Sequence, residues 1–178
     1  MINLANFFTL LRVILTPFAI AAIVNGQYRR AFWLAIAAGV TDILDGLAAR
    51  TTKRVTRVGA YFDPIADKLL LGASYIAFGA TRLVPWWMVA LVFGRDLFIL
   101  AMAGYGYFFT TLRDFPPSIW GKLSTLAQIL AALAVVNEKA GSAIPANPFL
   151  WIMIVLTVWS GVHYGWRGWA LLRASKNA

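Results

Sequence analysis

Six apolar runs, at roughly 7–24, 31–49, 60–80, 84–109, 119–136 and 149–172, follow one another with only short connectors between them. Each approaches or exceeds the length of about 20 residues that an α-helix needs to cross a bilayer. In hydrocarbon, a helix is how such a segment satisfies its own backbone hydrogen bonds. The expected fold class is therefore all-α: a polytopic membrane protein, a six-transmembrane-helix bundle with short loops. Breakers mark the connectors: Asn25-Gly26, Pro116-Pro117 and the segment from Gly141 to Pro148. No connector is long enough to separate a pair of domains and no internal repeat is visible, so residues 1–178 read as one transmembrane domain. Thr16-Pro17 is expected to kink the first span. That span has Asn3, Asn6 and Arg12 near its start and no small-residue cleavage site after it, so it reads as retained rather than as a signal peptide.

Composition agrees with the bilayer as solvent. Hydrophobic residues make up 61% of the chain and charged ones 13%, against about a quarter charged in a soluble domain. The 8 Trp, 6 Tyr and 12 Phe suit headgroup belts as well as packing. With no cysteine and one histidine, His163, disulfides, thiolate metal sites and multi-histidine sites are excluded. The net charge of +9 is spread between apolar runs, which points to anionic lipid and phosphate-bearing substrates and away from nucleic acid. Six spans bring both termini to one side. Arg12, Arg50, Lys53, Arg54, Arg57, Arg113, Lys122, Arg167, Arg173 and Lys176 fall on that side, against Arg29, Arg30, Arg82 and Lys139 on the other. The excess assigns both termini to the cytoplasm.

Five of the seven acids, Asp42, Asp45, Asp63, Asp67 and Asp96, lie inside apolar runs. Each costs a few kcal/mol or more at a helix centre, so it persists where it pairs, lines water or binds a cation. Asp42 and Asp45 are three apart and Asp63 and Asp67 four apart, so each pair shares a helix face. The loop between them, about Thr51 to Val58, is short and basic, which makes the two helices antiparallel neighbours. At 1.5 Å per residue both pairs sit roughly 6–12 Å inside the cytoplasmic edge. Four carboxylates gathered in a low dielectric require protons or cations, and all-oxygen ligation favours magnesium, manganese or calcium. Two divalent ions match four carboxylates in charge and form a clamp suited to phosphoryl chemistry. The plainer alternative is that the aspartates are ion-paired with Arg50, Lys68 and Arg95, but those cations are few for so many acids. Gly46, Ala48, Ala49 and Gly59 remove bulk at the mouth of the hairpin. Arg50 offers a fork for a phosphate there, and Lys53, Arg54 and Arg57 form a basic collar that attracts anions.

The pattern Asp42-x-x-Asp45-Gly46-x-x-Ala49-Arg50, eight residues, then Gly59-x-x-x-Asp63-x-x-x-Asp67 resembles the signature of the CDP-alcohol phosphotransferases. The resemblance implies transfer of a phosphatidyl or similar group from a CDP-linked donor to an alcohol, with release of CMP. It implies Asp42, Asp45 and Asp63 as ligands of two divalent cations, Mg2+ or Mn2+. Asp67 is implied as the general base with a share in metal binding, and Gly46, Ala49, Arg50 and Gly59 as nucleotide and diphosphate contacts. It also implies a homodimer.

The start, Asn3-Leu-Ala-Asn6-Phe-Phe-Thr9-Leu-Leu-Arg12, is similar to the phosphatidylglycerophosphate synthase and CMP-forming cardiolipin synthase branches of that family. The donor is then CDP-diacylglycerol and the acceptor glycerol 3-phosphate. Gly94-Arg95-Asp96 and the run Pro116-Pro117-Ser118-Ile119-Trp120-Gly121-Lys122 are similar to the cardiolipin synthases, whose acceptor is phosphatidylglycerol. Either acceptor bears a phosphate and needs a cation, for which Arg95 and Lys122 are the candidates. The plainer readings are an ion pair of Arg95 with Asp96 or a cluster aspartate, and Lys122 as a snorkelling anchor. His163, beside Tyr164 and Trp166, reads as a packed, hydrogen-bonded residue. A proton-coupled transporter would also hold intramembrane acids, but with repeated halves and midplane sites. The expected location is a bacterial inner membrane, with the active site facing the cytoplasm.

Overall fold

Hydropathy marks where a chain is apolar, whereas a helix ends where its last carbonyls find another partner. The six helices seen in the computed structural model therefore overrun most of the apolar runs. They are α1 (Leu4–Val24), α2 (Tyr28–Thr52), α3 (Arg57–Ala80), α4 (Trp86–Phe109), α5 (Ile119–Lys139) and α6 (Asn147–Lys176). The structure describes the backbone of 4–52, 57–109 and 118–176, and the side chains of 11, 13–41, 68–102, 104 and 118–169. Among the described residues there is no strand. The connector expected over 51–58 shrinks, because α2 runs on to Thr52 and α3 starts at Arg57. Polar residues continue a helix readily, since stopping it leaves backbone groups that must find other partners. Pro17 lies inside α1, which continues to Val24.

The turns that close α1, α3 and α5 share one design. Gln27 donates its N–H to the Ala22 carbonyl and Gly26 to that of Ile23, a Schellman closure with Gly26 at φ 70°. Ser142 bonds to Asn137 and Gly141 to Glu138, with Gly141 at φ 99°. After α3, Leu83 bonds to Phe78 and Arg82 to Gly79, but the left-handed position is held by Arg82 at φ 58°. That is strained for a residue with a Cβ.

The chain forms two compact units. Residues 1–84 and 132–145 form the first, in which α1 packs on α2 and on α3. Its core stripe is made of small residues, Ala19, Ala22, Ala31, Ala38 and Ala77, completed by the edge-to-face pair Tyr75 and Phe78. Small residues let helix backbones approach closely where burial in lipid gives little drive. Residues 85–131 and 146–178 form the second, in which α4 packs on α6. The inner face of α6 runs through Met153, Thr157, Ser160 and Tyr164, a helical stripe. The outer face shows Trp151, Val155, Val158, Trp159, Val162, Trp166 and Trp169.

By length and composition, two stretches among the described residues are apolar enough to cross a membrane, Ile119–Lys139 and Asn147–Trp169. Shorter apolar segments, Val13–Val24 and Lys68–Ala80, lie in α1 and α3.

Candidate active site

The helices carry the proposed ligands where helical spacing requires. Asp42, Asp45, Gly46, Ala49 and Arg50 all fall within the unbroken length of α2, and Gly59, Asp63 and Asp67 within α3. A register of three on one helix and four on the other puts each carboxylate pair on a single face. The side chains of these eight residues lie outside the described ones, and so do those of Arg12 and Arg57. The donor set itself is carboxylate oxygen, which fits hard divalent ions. The collar residues Lys53 and Arg54, with Arg113, Pro116 and Pro117, also lie outside the described residues.

The two acceptor candidates, by contrast, sit in a defined polar centre of the second unit. Arg95 projects from the middle of α4 with its side chain only 8% exposed. A buried guanidinium needs partners for its donors, and it has them. Nη1 donates to Asp96 at 2.7 Å, Nε and Nη2 donate to Ser160 Oγ at 3.2 and 2.8 Å, and Nη2 donates to the Gly121 carbonyl at 3.3 Å. The ion pair with Asp96 is thus present, and it is one bond of four. Of five guanidinium donors, one on Nη1 remains for a ligand. The cation also stands 5.9 Å from the centre of the Tyr164 ring, within cation–π range.

These contacts fix the start of α5. Ser118 is its N-cap, its Oγ accepting the Gly121 N–H at 3.0 Å. The Ser118 N–H donates to Tyr164 Oη at 2.8 Å, so the cap is itself held by α6. Gly121 is required by space, because a Cβ there would stand 2.8 Å from Tyr164 Oη and 3.2 Å from Arg95 Nη2. Lys122 follows directly and its side chain is exposed. Below this centre, Ser124 and Gln128 of α5 both bond to Thr157 Oγ1 at 3.2 Å, wholly buried. Such interhelical hydrogen bonds hold helices together in lipid.

Sequence reasoning found Arg95 and Lys122 but missed Ser118, Ser160 and Tyr164. The signal for Ser118 was legible: a serine that follows Pro-Pro and directly precedes an apolar run is a helix start. Tyr164 and Ser160 gave none, since their partners lie 46 and 65 residues away. His163 packs edge-to-face on Tyr164 as expected of an aromatic neighbour. Its expected hydrogen bond is absent at Nδ1, which is buried without a partner among the described residues.

The sequence model of the CDP-alcohol phosphatidyltransferases matches residues 2–159. A relative from Mycobacterium tuberculosis, named probable phosphatidylglycerophosphate synthase, is 35% identical over 170 residues, covering 91% of this chain and 79% of its own. The Bacillus subtilis CDP-diacylglycerol–glycerol-3-phosphate 3-phosphatidyltransferase is 32% identical, with 98% of this chain and 100% of its own covered. A Drosophila melanogaster protein named probable cardiolipin synthase (CMP-forming) is 33% identical over 132 residues, 74% of this chain and 40% of its own.

Proposed function

The chain belongs to the CDP-alcohol phosphatidyltransferase family, and on that premise we propose that it transfers a phosphatidyl group from CDP-diacylglycerol to glycerol 3-phosphate with release of CMP. The observation that carries this reading is the family match over residues 2–159, a span that includes both aspartate pairs on their helices. The end-to-end likeness to the Bacillus subtilis enzyme, named for that reaction, supports the acceptor.

Asp42, Asp45 and Asp63, with a share from Asp67, would hold two divalent cations, Mg2+ or Mn2+. When bound, such ions neutralise the donor diphosphate and the CMP leaving group. Asp67 accepts the proton of the acceptor hydroxyl, whose oxygen attacks the phosphorus bearing the lipid. Gly46, Ala49 and Gly59 admit the nucleotide, and Arg50 grips the diphosphate. Lys122 takes the acceptor phosphate. Arg95 adds its remaining Nη1 donor and chiefly holds the α5 start from which Lys122 projects.

We read the six helices as six spans of one domain in a bacterial inner membrane, with both termini and the active site cytoplasmic, working as a homodimer. Exposure of all eight tryptophans supports the bilayer, since a water-soluble surface shows few of them.

Gly94-Arg95-Asp96 and the likeness to the Drosophila melanogaster protein favour a second reading, a CMP-forming cardiolipin synthase. Purified protein given labelled CDP-diacylglycerol and each acceptor separately decides between them. Release of CMP with glycerol 3-phosphate is expected. Product from phosphatidylglycerol alone would move the assignment to the second reading, and no CMP with either would end both.

A further inference from the structure

The first unit has a second polar site, far along α2 from the aspartates. A shallow groove open to the surface, with a volume of about 470 Å3, is lined by Gly26, Gln27, Tyr28, Arg29, Arg30, Lys139 and Ala140. Arg29 and Arg30 come from the first turn of α2, and Lys139 from the last turn of α5. Among the described residues, no carboxylate lines the groove and no acid pairs with Arg29, Arg30 or Lys139. Arg30 is steadied by Gln27, which accepts its Nη1 donor at 3.0 Å.

We propose that this groove binds the phosphate of an anionic phospholipid headgroup, in the leaflet opposite the aspartate cluster. Three cations from two helices repel one another in a shared groove, and a phosphodiester relieves that repulsion. The backbone adds to the attraction. The first α-helical bond of α2 runs from Ala31 N–H to the Gln27 carbonyl, so the N–H groups of Tyr28, Arg29 and Arg30 precede the ladder. The positive end of the helix dipole faces the same way.

A lipid, rather than a soluble anion, is indicated by what flanks the cations. Trp33 lies one turn beyond Arg29 on the same side of α2 and is 61% exposed, packed edge-on to Phe32. An exposed tryptophan next to arginines is the arrangement of a headgroup boundary. Val24, just before the turn, is 56% exposed and extends the apolar flank. Arg30 and Asp42 are separated by roughly 18 Å of helix, so the two sites occupy different depths. The choice of leaflet rests on the orientation proposed above, while the binding claim does not.

The test uses the full chain in detergent, titrated with short-chain phosphatidylglycerol or phosphatidylcholine and read by native mass spectrometry. Phosphatidylglycerol should be retained in preference to phosphatidylcholine. Arg29→Gln/Lys139→Gln should weaken phosphatidylglycerol binding at least about tenfold, from the worth of two surface cations near an anionic headgroup. Phosphatidylcholine binding should not change. The single substitutions should each show a fraction of the loss, and Arg82→Gln, in the turn after α3 and outside the groove, should show none. Equal phosphatidylglycerol retention by the wild type and the double variant would overturn the proposal. So would displacement of the lipid by millimolar inorganic phosphate, which would mark a soluble-anion site. Unchanged elution on gel filtration certifies that the variants fold. Because the readout is binding, failure of the transferase reading would appear separately, as absent CMP release with lipid retention intact.

Discussion

Replacing Gly121 by alanine adds one methyl group at the most crowded point of the second unit. The new Cβ would lie 2.8 Å from Tyr164 Oη, 3.1 Å from Tyr164 Cε2 and 3.2 Å from Arg95 Nη2. Tyr164 cannot step aside without loss, since it is 4% exposed and its hydroxyl accepts the Ser118 N–H. Overpacking of this kind costs about 1–3 kcal/mol, and stranding the buried Ser118 N–H costs about 1–3 more if the ring moves. Against this, alanine gains at most about 1 kcal/mol of helix propensity. The net expectation is a loss of about 2 kcal/mol. Tyr164→Phe removes the oxygen that the methyl meets, at a cost of about 1–3 kcal/mol for the stranded Ser118 N–H. In that background Gly121→Ala should cost at least about 1 kcal/mol less, a coupling measurable by a double-mutant cycle. Reversible unfolding in mixed dodecyl maltoside and SDS micelles, followed by tryptophan fluorescence, reads all four proteins. A neutral Gly121→Ala, or strictly additive effects, would show that the glycine is not there for space and that the Ser118–Tyr164 clasp does not anchor α5.

Asp67→Asn should leave the protein folded, by elution and helical circular dichroism, and lower CMP release by about 10²–10⁴-fold, the range of a lost general base; near wild-type turnover would remove Asp67 from that role. Excess chelator should abolish CMP release and added Mg2+ or Mn2+ restore it, whereas full activity in chelator would contradict the metal cluster. Arg82→Gly should stabilise the chain by up to about 1 kcal/mol, as relief of the left-handed strain exceeds the extra entropy of glycine in the unfolded chain; a clear loss in the same micelle titration would mean that the Arg82 side chain holds the turn.

The helices were legible because each is a run of neighbouring residues whose apolar composition and length favour a helix locally. Their ends were less so. Thr51, Thr52, Arg57 and Val58 are polar or lie at the edge of an apolar run, yet all four remain helical, so the connector is shorter than the expected 51–58. The aspartate pairs were legible as pairs, since a spacing of three or four residues decides which face of a helix they share. Gly121 stood out in the sequence only as one position of a pattern, and its reason became visible from Tyr164 and Arg95 around it.

By itself the sequence determined six helical segments, the helical register of Asp42 with Asp45 and of Asp63 with Asp67, and the family signature they belong to. All of these depend on residues close together in the chain. Tertiary structure alone decided that Arg95 is buried and four-fifths engaged, that Tyr164 clasps the cap of α5, and that Arg29, Arg30 and Lys139 line one groove. Those facts join residues 26 to 110 positions apart. Hydropathy and spacing describe one helix at a time, whereas the partners of a buried donor or an unpaired cation are chosen by how helices pack.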